Sequence, residues 1–146
     1  MTSVTEPILT MRWLNSILVT DSVLSNPSTG VRGGFHLVPP LGVKSPFGIV
    51  RQETAAADLT ALDGGGLIWV PQIFQVNLYE RERGDYTRLD PLAARIYSLL
   101  HAQIAENAEG IIFECYRQSV YAFYDNVGEV IERFINQKFT IEARAK

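Results

Sequence analysis

Three side chains, His36, His101 and Cys115, are the ones in this sequence best suited to proton transfer, metal ligation or nucleophilic attack near neutral pH. Each of those chemistries needs partners at a set spacing, either a second ligand or a base within reach of the nucleophile. His36 stands beside prolines in a Pro- and Gly-rich stretch, and Asp58 or Asp63 would be its partner in acid–base work. His101 falls near the end of a helical pattern, where a cation suits the carbonyl ends. Cys115 sits in an apolar run that reads as a buried strand, whereas a reactive thiolate needs an electropositive, partly exposed setting. There is no Gly-x-Ser-x-Gly elbow. Gly64, Gly65 and Gly66 precede a strand, while a phosphate-cradling loop follows a strand and opens a helix. They read as a hairpin tip. The sequence therefore points to no catalytic set, no metal and no cofactor, and the expectation is a protein that is not an enzyme.

The chain that must position its side chains has 146 residues, which suits one domain over residues 1–146 with a core large enough to fold without staples. Sixteen acidic and thirteen basic side chains give a net charge of −3, unlike the basic surface of a protein that holds DNA tightly. One cysteine allows no intrachain disulfide and asks for no oxidising compartment. The N-terminal stretch lacks the pattern of a signal peptide, and no apolar run has the length of a bilayer span, so the expectation is a protein made in a cytoplasm.

Apolar residues at Ile8, Met11, Leu14, Ile17, Leu18 and Leu24 recur at helical spacing and predict a helix over 7–24, with Pro7 in its first turn. Asn26-Pro27 ends it. A loop with a short strand at 35–38 follows, then a strand at 47–53. From residue 68 the alternation is strict: Phe74, Val76 and Leu78 point one way and Gln75, Asn77 and Tyr79 the other, as in a strand with one wetter face. Pro71 suggests an edge or a bulge near its start. Asp90-Pro91 reads as a helix start, and Leu92, Ile96, Leu99, Leu100 and Ile104 as its stripe, closed by residues 107–110. Residues 111–117 read as a central strand, 119–132 as an aromatic loop or a short strand and turn, and 134–144 as the last strand. The fold class is α+β: a mixed, mainly antiparallel sheet of four to five strands with two helices packed on one face.

Three surfaces stand out. The charges Glu80, Arg81, Glu82, Arg83, Asp85 and Arg88 alternate in sign, as a solvated strand end or as a subunit contact in which charges set register. Arg83-Gly84-Asp85 within it reads as a tight turn rather than an adhesion tripeptide. Tyr121, Phe123 and Tyr124 lie in the aromatic loop, and exposed loop aromatics are favoured interface anchors. The segment around Asp58, Leu59, Leu62 and Asp63 has the makings of a tip that orders on a partner.

The sequence of elements resembles the tail terminator (tail completion) proteins of long-tailed bacteriophages. The resemblance is carried by MRWLNSILVTDSVL, SPFGIVRQE, FQVNLYERERGDYTRLDPLAARIYSLLH, IIFECYRQS and KFTIEARA. Residues 59–63 and those before Met11 are less family-like. The resemblance implies a structural virion protein that assembles as a homohexameric ring on the head-proximal end of the tail tube. Such a ring stops tube polymerisation and offers the head connector a docking surface. Its partners would be the tail tube protein and a connector or stopper, with DNA passing through the channel unbound and no membrane involved. On that reading Asp58, Leu59, Leu62 and Asp63 are tube-contact candidates, the 80–88 charges are subunit-contact candidates, and Tyr121, Phe123 and Tyr124 are loop anchors. The alternatives are another neck component, such as a head–tail stopper or adaptor, and a small binding module that uses the 121–124 aromatics.

Overall fold

The computed structural model describes residues 4–38, 41–54 and 70–146. Its elements run α1 (Glu6–Thr20), β1 (Phe35–His36), β2 (Phe47–Thr54), β3 (Val70–Glu80), α2 (Leu89–Leu100), β4 (Ala105–Glu106), β5 (Gly110–Val127) and β6 (Val130–Ala145). The strands form one sheet in the order β1-β2-β3-β6-β5-β4. The pairing of β1 with β2 is parallel and every other pairing is antiparallel. The class is α+β as expected, but the sheet has six strands rather than four to five, because β4 is a two-residue strand paired only to Ile111 and Ile112.

The period-2 pattern of β3 places Phe74, Val76 and Leu78 on the face that meets both helices, where each is fully buried. Across the ladder, Phe139 and Ile135 of β6 oppose Phe74 and Leu78. On this layer α1 lays Leu9, Trp13, Leu14 and Leu18, and α2 lays Leu92, Ile96 and Leu100, in one continuous core. Burying each large aliphatic side chain contributes about 1.5–3 kcal/mol. A hydrogen bond from Gln72 Nε2 to Thr10 Oγ1, 2.8 Å, fixes α1 to β3. Pro71 lies beyond the last β2 partner, Thr54 opposite Ile73, so among the described residues no strand pairs with β3 on that side there, where a proline is tolerated.

Both helices are shorter than the spacing predicts. α1 stops at Thr20 because Asp21 takes an extended backbone, and its carboxylate instead accepts from the Leu24 N–H. Leu24 is still buried, delivered by the turn and not by the helix. α2 ends at Leu100, since His101 is extended and Ala102 has φ 60°. Ile104 is thus off the stripe and exposed. Residues 107–110 do not close a helix; they make the β4–β5 turn, in which Asn107 Oδ1 accepts from the backbone N–H groups of Glu109 and Gly110. Gly48 sits under the Phe35 ring, where a Cβ would stand 2.4 Å from a ring carbon, so only glycine permits the β1–β2 approach.

The largest departure lies in β5 and β6. Residues 118–133 are neither loop nor short strand; they continue both strands to a two-residue turn in which Gly128, at φ 63°, follows Val127. Tyr121, Phe123 and Tyr124 are therefore strand residues.

Candidate interaction surfaces

The 80–88 charges come together at the junction of β3 and α2 around the buried Glu80, with Arg81, Glu82, Arg83 and Asp85 exposed. Glu80 is fully buried; its carboxylate accepts from the backbone N–H of Arg83 at 2.9 Å and of Glu82 at 3.2 Å, and pairs with Arg88 at 3.3 Å. Arg88 also donates to the Ser45 carbonyl and lies 3.7 Å from Glu82. Arg81 pairs with Glu132 on β6 and lies over the Phe47 ring, 4.8 Å from its centre. Asp85 binds the Thr87 hydroxyl and N–H, and these bonds, the hydroxyl first, hold its carboxyl below the usual range. Gly84 and Asp85 thus form a turn fixed by Thr87.

The sheet face turned away from the helices carries two groupings that the alternation alone did not reveal. Phe47, Tyr79 and Phe134 stack across three strands, with centroids 5.1 and 5.4 Å apart, and Tyr121 stacks on Phe123 farther along β5. Burial is the main cause raising the Tyr79 hydroxyl above its ordinary value. Beside this row, Gln75 Oε1 accepts from Asn77, Asn136 and Arg51, and Asn136 donates to Asn77 Oδ1 at 2.6 Å. Gln75, Asn77 and Asn136 are all buried, so this face is polar in composition but not wet. The register that sets Asn77 opposite Asn136 was not readable before the pairing of β3 with β6 was known.

Of the candidates for chemistry, His36 lies on β1, and His101 lies beside the β5 strand that carries Cys115. His36 Nε2 lies 2.6 Å from the Gly33 carbonyl, and Asp58 and Asp63 lie outside the described residues, as do Leu59, Leu62 and Gly64, Gly65 and Gly66. His101 follows α2; its Nδ1 accepts from the Arg117 N–H at 3.0 Å and its ring stacks on Tyr97. Cys115 is buried in the core, which pushes its thiol up to about 12. Among the described residues no group of three His, Cys, Asp or Glu side chains could hold a metal, and no helix is long and apolar enough to cross a membrane.

Among the described residues, a continuous run of exposed apolar side chains lies on the outer half of the β5–β6 hairpin. Tyr121, Phe123, Tyr124 and Val127 on β5, and Val130 and Ile131 on β6, are exposed. Tyr121 and Phe123 share one face, and Tyr124, 66% exposed, lies on the other. The signal that could have found this hairpin is Val127-Gly-Glu-Val130, two β-branched residues around a Gly-first pair.

No protein-family model and no curated protein matches the sequence. Among solved structures the chain is similar to one described as the virion of a native gene transfer agent (GTA) particle. The TM-score is 0.69 at 15% identity, over 91% of this chain and 92% of that one. The two chains share a fold.

Proposed function

We propose that this chain is a structural virion protein, and that within a virion it forms the ring that ends a tail tube at its head-proximal side. The observation that carries the virion reading is the likeness of fold to a chain of a virion particle, spanning nine-tenths of both chains. The narrower role is supported by the resemblance of the sequence, from the opening amphipathic helix to the closing strand, to tail terminators. Large surfaces on a small chain suit that role. The outer hairpin presents apolar residues that its own fold leaves uncovered, as a subunit or partner contact would require. The net charge of −3 per copy suits a channel past which DNA slides without being held. A head–tail stopper or adaptor is the second reading, in the same structural class.

Electron microscopy of lysates from a phage lacking this gene tests both. Overlong tails beside separate filled heads are the expected result. Tails of normal length that fail to join heads would favour the stopper or adaptor, and normal infectious particles would overturn the virion reading.

A further inference from the structure

The two ends of the sheet are unlike. At one end β5 is covered only in its first half: β4 pairs with Ile111 and Ile112, the Ala102 N–H donates to the Cys115 carbonyl, and the Arg117 N–H donates to His101. From Gln118 to Val127 no strand of the described residues lies along that edge. Long open edges are normally blunted by lysine or proline, and this stretch, QSVYAFYDNV, has neither. Residues 118–132 carry three acidic side chains and no basic one, with Asp125 and Glu129 exposed at the tip.

At the other end β1 pairs with only Gly48 and Ile49, so the outer edge of β2 from Val50 onward has no partner strand among the described residues. Beside it lies a largely apolar cleft of about 300 Å³ between α1 and β1, walled by Met11, Phe35, Leu37 and Val50, with Arg12, Asn15 and His36 also lining it. Residues 26–54 carry Arg32, Lys44 and Arg51 against a single acid, Glu53, but Arg32 lies 3.8 Å from Glu82 and Arg51 donates to Gln75. Glu53 is already paired with Lys138, and Lys44 is exposed with no ion pair among the described residues.

We propose that the occupant of the open β5 edge is a second copy of this chain, which presents its β2 edge and the α1–β1 cleft. An apolar, acid-tipped strand meets an edge that has a largely apolar cleft beside it and the cation Lys44 just before its first residue, and backbone pairing supplies direction. Because the two surfaces differ, the contact is heterologous and each copy keeps one free surface of each kind, so the chain adds head to tail until a ring closes. This contact rests on the ring reading above and names the surface through which that ring would form.

The full chain is tested by analytical ultracentrifugation over rising concentration. Wild type is expected to associate. Asp125→Lys with Glu129→Lys weakens association about tenfold or more, as like charges now face each other, and so does Lys44→Glu. Combining the three substitutions in one chain restores association. The residues are exposed, so the monomers should keep the wild-type melting temperature. Hydrogen exchange on wild type gives a readout free of substitutions: amides in 118–127 slow on association. A wild type that stays monomeric, variants that associate unchanged, or amides of 118–127 that exchange equally fast in the assembled state would each overturn the contact. None of these touches the virion reading, which fails only if tails and particles form normally without the gene.

Discussion

Asp21 closes α1, accepts from the Leu24 N–H and pairs with Arg95 on α2, so one carboxylate ties the two helices together. The Arg95 hydrogen bonds, chiefly, hold its pKa below the ordinary 3.8. The folded chain therefore binds this proton less readily than the unfolded chain. The stability it contributes is fully present above 3.8 and is lost as pH falls through the lowered value. Asp21→Asn should lower the melting temperature by about 2–4 °C at neutral pH, and the deficit should close in acid below that value. An equal deficit at both pH values would show that Asp21 acts through packing. At this scale the sequence was a good guide to Cys115, placed in a buried strand by its apolar neighbours. It is a poor guide to Glu80, which belongs to a run of charges and yet is fully buried, because its ion pair with Arg88 and the two backbone N–H groups it accepts from depend on how the chain turns after β3.

The elements most legible in the sequence are those with one dry face. β3 alternates and α2 has a stripe at Leu92, Ile96, Leu99 and Leu100; the core of β3 and the start of α2 are legible to within a residue or two, while the expected end of α2, past Ile104, overshoots the observed Leu100. Ile96→Ala removes a fully buried side chain from the middle of α2 and should cost about 2–5 kcal/mol in urea unfolding. A loss well under 1 kcal/mol would mean that α2 is not packed as described. The outer halves of β5 and β6 were not legible, and the reason is physical. Tyr121 and Phe123 face one way and Ala122 and Tyr124 the other, so apolar residues fall on both faces and no period of two emerges. A strand acquires that period only when one face is buried and the other wet. Helix ends were misjudged for a different reason: Asp21 and His101 leave helical geometry while the apolar spacing runs on past them.

At the scale of the molecule, the hairpin beyond Phe123 and Phe134 contributes little to the core. Apart from Glu132, none of residues 124–133 is buried. Replacing 124–133 by an Asn-Gly turn should leave a folded monomer whose melting temperature falls by only a few degrees, about what loss of the Arg81–Glu132 pair would bring. That variant should fail to associate in sedimentation. Global unfolding on shortening would mean that the hairpin holds the sheet together rather than reaching outward. The mixed, helix-covered sheet could be inferred from the order of helices and strands, but the neighbours of each strand could not, because β6 enters between β3 and β5 from far along the chain.

That insertion has a consequence for synthesis. β3 and β5 are both made before the strand that separates them, and β6 supplies eleven residue partners to one and sixteen to the other. While residues 130–145 are still inside the ribosome, β3 has β2 on one side and nothing on the other, and β5 has only the two residues of β4. The β5–β6 ladder is a local hairpin, whereas the β3–β6 ladder spans more than 50 residues of chain, so the sheet is completed only when the C-terminal hairpin docks on β3. During that interval the unpaired strands of a nascent chain are open to their counterparts on neighbouring ribosomes of the same message.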